Sequence, residues 1–90
     1  MRAVWKYKIP VNDVFALQMP IGAKVIHVAE QNNVPYFWAL VDTNAAVIQR
    51  CFRFAGTGHP ITEPIDKLKH VGSLLMHNRA LVFHLFEVCQ

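Results

Sequence analysis

Gly56-Thr57-Gly58-His59-Pro60-Ile61 places two glycines around a hydroxyl residue and an imidazole directly after it. Glycine tolerates backbone conformations that turn successive N–H groups into one concavity, and such a nest binds phosphate or carboxylate. Arg50 and Arg53 approach this stretch along the preceding segment and offer bidentate anion contacts. Three residues apart on a regular strand, they point to opposite faces, so only one serves the same pocket unless a bulge or a second subunit intervenes. The stretch lacks the lysine and spacing of a phosphate-binding P-loop and the third glycine of a dinucleotide fingerprint. A plain turn with His59 packed against Pro60 is the competing reading.

Trp38, with Trp5, Tyr7, Tyr36 and Phe37, could stack on a base or ribose, and core packing explains these rings equally well. His84 sits inside Leu81-Val82-Phe83-His84-Leu85-Phe86, where a hydrogen-bonded core histidine is the default and a place in a buried ligand pocket the alternative. The candidate ligand-binding set is therefore Gly56, Thr57, Gly58, His59, Arg53, Arg50, Trp38 and His84. His70, His77 and His84 recur every seven residues, which aligns them on a helix and alternates them across a strand. No His-x-His or His-x-x-x-His pair supports a metal site, and no serine, cysteine or paired-acid arrangement argues for catalysis. The expectation is a protein that is not an enzyme and uses neither metal nor cofactor.

The segments that must position these residues change every eight to twelve residues at a turn signal and are rich in Val, Ile, Phe, Tyr and Trp, which predicts an all-β fold. Six to seven strands in a small antiparallel sandwich or barrel are expected. In the first, Trp5, Tyr7 and Ile9 alternate with Lys6 and Lys8. Phe15, Leu17 and Met19 mark the second, and a third runs from about Lys24 to Glu30. Asn32-Asn33 suits a two-residue hairpin turn. The fourth, Tyr36 to Val41, is apolar on both parities, as in a central strand covered on two sides or by a neighbouring subunit. The fifth spans about Val47 to Ala55. The pattern then lapses to about Lys69, with one short helical turn expected at Pro64-Ile65-Asp66-Lys67-Leu68. Val71–Leu75 and Ala80–Val88 close the chain around His77-Asn78. A terminal helix over Ser73 to Cys89 has the length, but the Asn78 break and the Val82-Phe83 pair favour the hairpin.

Ninety residues fit a single domain, 1–90, with a thin stability margin. Apolar residues make up 53% and charged residues 17%, a balance that predicts a homo-oligomer. The net charge of +3 is spread without a basic run, which allows an anionic ligand but does not argue for a duplex-tracking surface, and no nucleic-acid partner is expected. Cys51 and Cys89 lack metal or redox spacing and read as small hydrophobes in a reducing compartment. With no signal-peptide core and no apolar run of roughly 20 residues, a cytoplasmic protein without membrane contact is expected.

Trp5-Lys6-Tyr7, Pro20-x-Gly22-Ala23-Lys24, Trp38-Ala39-Leu40-Val41-Asp42, Gly56-Thr57-Gly58-His59-Pro60-Ile61 and Leu81-Val82-Phe83-His84-x-Phe86-Glu87 run along most of the chain. In these motifs the chain resembles an uncharacterised family of small proteins carried by phages and prophages. His77-Asn78 departs modestly, at a turn where a glycine is expected. The resemblance implies an accessory protein acting inside a bacterial host cell. Combined with the glycine-histidine stretch, it suggests a protein that sequesters a small anionic nucleotide-like signalling molecule against host defence. The alternatives are an inhibitor that occupies a host defence protein complex, such as a CRISPR effector, and a virion or morphogenesis component.

Overall fold

A computed structural model describes residues 1–89. Seven strands, β1 (Arg2–Lys8), β2 (Val14–Pro20), β3 (Lys24–Gln31), β4 (Val34–Asp42), β5 (Val47–Gly56), β6 (Leu68–Met76) and β7 (Leu81–Val88), follow one another, with one 3-10 turn at Ile65–Lys67 before β6. They form an antiparallel three-stranded sheet, order β1-β4-β3, and an antiparallel four-stranded sheet, order β2-β5-β7-β6. The all-β expectation holds, and the closing segment is a hairpin rather than a helix. The pattern resumes sooner than the sequence suggests, because β6 starts at Leu68 and pairs Leu68 with Val88.

Strand alternation explains the layering. Phe37, Ala39 and Val41 of β4 and Phe52 and Phe54 of β5 turn inward, where Ile9, Phe15, Met19, Leu74 and Leu85 join them. Four rings cross the sandwich in sequence: Tyr7 to Phe37 at 5.1 Å, Phe37 to Phe52 at 5.4 Å, and Phe52 to Phe15 at 5.3 Å between centroids. The Phe37–Phe52 contact joins the two sheets. Aromatic pairs of this kind add about 0.5–1.5 kcal/mol beyond area burial. β4 is central, as its composition suggests, but only one of its faces is buried. Tyr36 and Trp38 on the other parity are half-buried in the isolated chain.

The Tyr7 hydroxyl is buried without a hydrogen-bond partner among the described residues, and burial pushes its phenol pKa up against the opposing pull of Arg50. An unmade bond at a buried hydroxyl costs about 1–3 kcal/mol, whereas removing the group leaves nothing unsatisfied. Tyr7→Phe is therefore expected to leave stability unchanged or raise it by up to about 1 kcal/mol in urea denaturation. A loss beyond that would show a partner that the packing does not reveal.

Two hairpin tips carry left-handed residues. Asn32 (φ 54°) and Asn33 (φ 63°) form the expected two-residue turn, and the Asn33 N–H donates to the Glu30 carboxylate at 2.9 Å. His77, Asn78 and Arg79 follow one another at φ 52°, 53° and 71°, which explains why a glycine is the natural expectation there. Each sheet also carries one irregularity, between Val25 and His27 in β3 and between His70 and Gly72 in β6. These two strands approach each other where the sheets close along one side, so the bulges lie in the seam.

Candidate functional site

The eight residues singled out from the sequence fall into three places. Gly56, Thr57, Gly58, His59, Arg53 and His84 gather on the outer face of the four-stranded sheet, at the end of β5. Arg50 shares the inward parity of Phe52 and Phe54 and reaches the seam, so Arg50 and Arg53 do face opposite sides. Trp38 lies on the outer face of the other sheet and cannot share a pocket with the loop.

The loop spends its donors internally. The Thr57 N–H donates to the Val82 carbonyl at 3.1 Å, and the His59 N–H donates to the Gly56 carbonyl at 3.0 Å across a turn in which Gly58 takes φ 87°. An added Cβ at Gly56 would lie 2.9 Å from His59 Cε1, so the imidazole packs down on the glycine itself rather than leaving an open anion cradle. Arg53 is committed as well. Its guanidinium donates to both Glu63 oxygens at 2.8 Å and to Thr62 Oγ1 at 3.2 Å, and it is 8% exposed beneath the loop. The arginine beside it holds the Glu63 carboxyl below the usual carboxylate range. This bidentate pair straps the long loop to β5.

His84 is satisfied, but at the surface layer and not in the core. Its Nε2 lies 2.7 Å from Thr57 Oγ1 and its Nδ1 2.9 Å from Ser73 Oγ, and Ser73 Oγ lies 3.1 Å from His70 Nε2. One proton arrangement satisfies the whole chain. Thr57 donates to the Val82 carbonyl at 3.4 Å and accepts from His84 Nε2, Ser73 donates to His84 Nδ1, and His70 Nε2 donates to Ser73. This brings a hydroxyl against a basic nitrogen, yet His84 is oriented by a hydroxyl and not by the carboxylate that stabilises an imidazolium in hydrolytic triads. The chain is best suited to holding four polar side chains in fixed positions.

The seam holds the stronger concentration of charge. A cleft of about 340 Å³ is lined by Lys24, Arg50, Lys69 and His70, with Glu87 the one carboxylate. Arg50 donates to both Glu87 oxygens at 2.6 Å and to the Ala23 carbonyl, so its charge is matched. Lys24 and Lys69 carry no ion pair within 4.0 Å among the described residues. A wider open trough of about 800 Å³ between the hairpin tips holds one cation, Arg79, against one acid, Glu30, and has no comparable excess.

A family model described as a domain of unknown function, DUF7352, matches residues 1–90. The chain belongs to that family. No curated protein and no solved structure matches it. Within this DUF7352 member, sequence reading missed Ser73, His70, Lys69, Glu63 and Glu87 as neighbours of the candidate residues. Pairing places Ser73 beside His84 and Lys69 beside Glu87, relations fixed by the β6–β7 register and invisible along the chain. Among the described residues, no group of three His, Cys, Asp or Glu side chains converges as a metal site would.

Proposed function

We propose that this protein is a non-enzymatic binding module that captures a small anionic nucleotide-like molecule in the seam cleft. The observation that carries the reading is a cleft lined by four basic residues against one carboxylate, of which Arg50 and Lys69 turn inward while Lys24 and His70 turn to the outer faces of their sheets. Its volume of about 340 Å³ lies at the lower end of the roughly 300–1,000 Å³ usual for small-molecule pockets. Lys69 supplies the unmatched charge, and Arg50 is held rigid by Glu87. The resemblance to phage-carried proteins gives the role: a sponge against a host defence signal in the bacterial cytoplasm. In the same reading the protein self-associates, which would cover apolar side chains such as Ile21, Val47 and Ile48 that the isolated chain exposes. That exposed surface equally supports the second reading, an inhibitor seated on a host defence protein.

Native mass spectrometry and calorimetry with ADP and a cyclic dinucleotide test the proposal. A stoichiometric adduct is expected, weakened about tenfold or more by Lys69→Glu, since reversing one charge at about 1.4 kcal/mol changes affinity tenfold. Gly58→Trp and His59→Ala are expected to bind as the parent does. Loss of binding in those two variants, with Lys69→Glu unaffected, would return the site to the loop. Retention of a host protein with no small molecule would favour the inhibitor.

A further inference from the structure

The outer face of the three-stranded sheet is an unpartnered surface of unusual composition. Alternation and pairing turn Arg2, Val4, Lys6 and Lys8 outward on β1, Tyr36, Trp38, Leu40 and Asp42 on β4, and Lys24, His27 and Ala29 on β3. Four cations thus share one face with a single acid, Asp42, which is itself 3.6 Å from the N-terminal ammonium. Between the cations runs a row of rings. His27 and Trp38 lie 5.4 Å apart at 43°, and Trp38 and Tyr36 lie 6.2 Å apart at 51°. Lys6 Nζ stands 4.0 Å from the Tyr36 centroid and 5.8 Å from that of Trp38, and donates to Gln31 Oε1 at 2.6 Å.

We propose that this face binds single-stranded nucleic acid, with a base stacked on Trp38 and phosphates following the cations of β1. Half-exposed rings interleaved with ammonium groups are what a single strand requires, because every base offers a π-face and every linkage a negative charge. Lys6 and Lys8 are two positions apart on an extended strand, about 7 Å along it, a spacing that successive phosphates of an unstacked strand can follow. Rings and cations spread along a sheet face suit a polymer that crosses the sheet better than an isolated nucleotide. A duplex keeps its bases away from such rings. The inference departs from the expectation of no nucleic-acid partner, which rested on the absence of a basic run. A strand disperses along the sequence the charges that it collects on one face.

Fluorescence anisotropy with 5′-labelled dT12 and rU12 at 50 and 200 mM salt provides the test, with the intact protein in a Trp5→Phe background that leaves Trp38 as the reporting indole. Binding is expected with a Kd of about 10⁻⁴–10⁻⁶ M, the association constant falling with salt at a log–log slope of up to about −3 for four phosphates. Quenching of Trp38 should accompany it. Trp38→Ala should weaken binding about tenfold, Trp38→Phe less, and Lys6→Glu with Lys8→Glu should both weaken it and flatten the slope. Circular dichroism melts identify any variant that fails to fold, and Trp38→Phe and the lysine pair then decide. No binding of either strand at 50 mM salt overturns the proposal. So does binding without Trp38 quenching, equal binding of a 12-base-pair duplex, or a host protein held on this face with both oligonucleotides unbound.

Discussion

Gly72→Ala is expected to destabilise the protein by about 2 kcal/mol, within the range of about 1–3 kcal/mol for overpacking. Gly72 sits at the β6 irregularity, where the strand comes against β3, and a Cβ built there would lie 2.7 Å from Val28 Cγ2 and 3.1 Å from Val28 Cβ. The obstacle is the stiff, branched root of a strand residue rather than the free end of a long side chain. Gly72 does not adopt positive φ, so conformational strain adds nothing. In an uncrowded strand, replacing glycine by alanine would instead stabilise by roughly 0.5–1 kcal/mol through lost unfolded-state freedom. The sign therefore separates the two effects. Val28→Ala alone should cost about 1 kcal/mol as a partly buried deletion, and adding it to Gly72→Ala should recover at least about 1 kcal/mol of coupling. Urea denaturation of the four proteins measures the cycle, and a Gly72→Ala variant as stable as the parent would mean the two strands stand further apart.

Breaking the Arg50–Glu87 pair from one side should cost more than deleting both partners. Both side chains lie mostly out of water, at 16% and 18% exposure, with two hydrogen bonds of 2.6 Å between them and a third from Arg50 to the Ala23 carbonyl. Removing one partner of a buried pair costs about 3–5 kcal/mol because a charge is stranded, and the residual exposure here argues for about 2–3 kcal/mol. Arg50→Met and Glu87→Met are each expected to show that loss. The double variant, which strands no charge and adds apolar volume beside the core, should lie within about 1 kcal/mol of the parent. Thermal melts of the three variants are sufficient, and purely additive losses would sink the idea that the pair acts as one unit.

Much of the architecture was readable from residue order because strand alternation and turn chemistry are local. Trp5, Tyr7 and Ile9 against Lys6 and Lys8 assigns β1 and its faces without knowledge of any partner, and Asn32-Asn33 names the turn that joins β3 to β4. The candidate site was legible only in part. Thr57 and His84 were both singled out, but their 2.7 Å contact depends on β5 lying beside β7, a pairing across 27 positions of sequence. The glycine loop read as a possible anion nest because its internal hydrogen bonds reach Val82, a residue that arrives only through β7.

From the sequence by itself came the all-β class, most strand positions, the turn types and the opposite facing of Arg50 and Arg53. Strand positions and facing follow from a period of two along an uninterrupted strand, and the turns from asparagine's tolerance of left-handed backbone. Only the tertiary structure decided which other residues, also three positions apart, share a face. His70 and Ser73 meet at 3.1 Å, and Lys24 and His27 both turn outward, because each pair spans a bulge that shifts the register by one residue. A bulge arises from how two paired strands and the opposing sheet fit together. It inverts the facing of everything beyond it, and a single strand read alone carries no sign of that inversion.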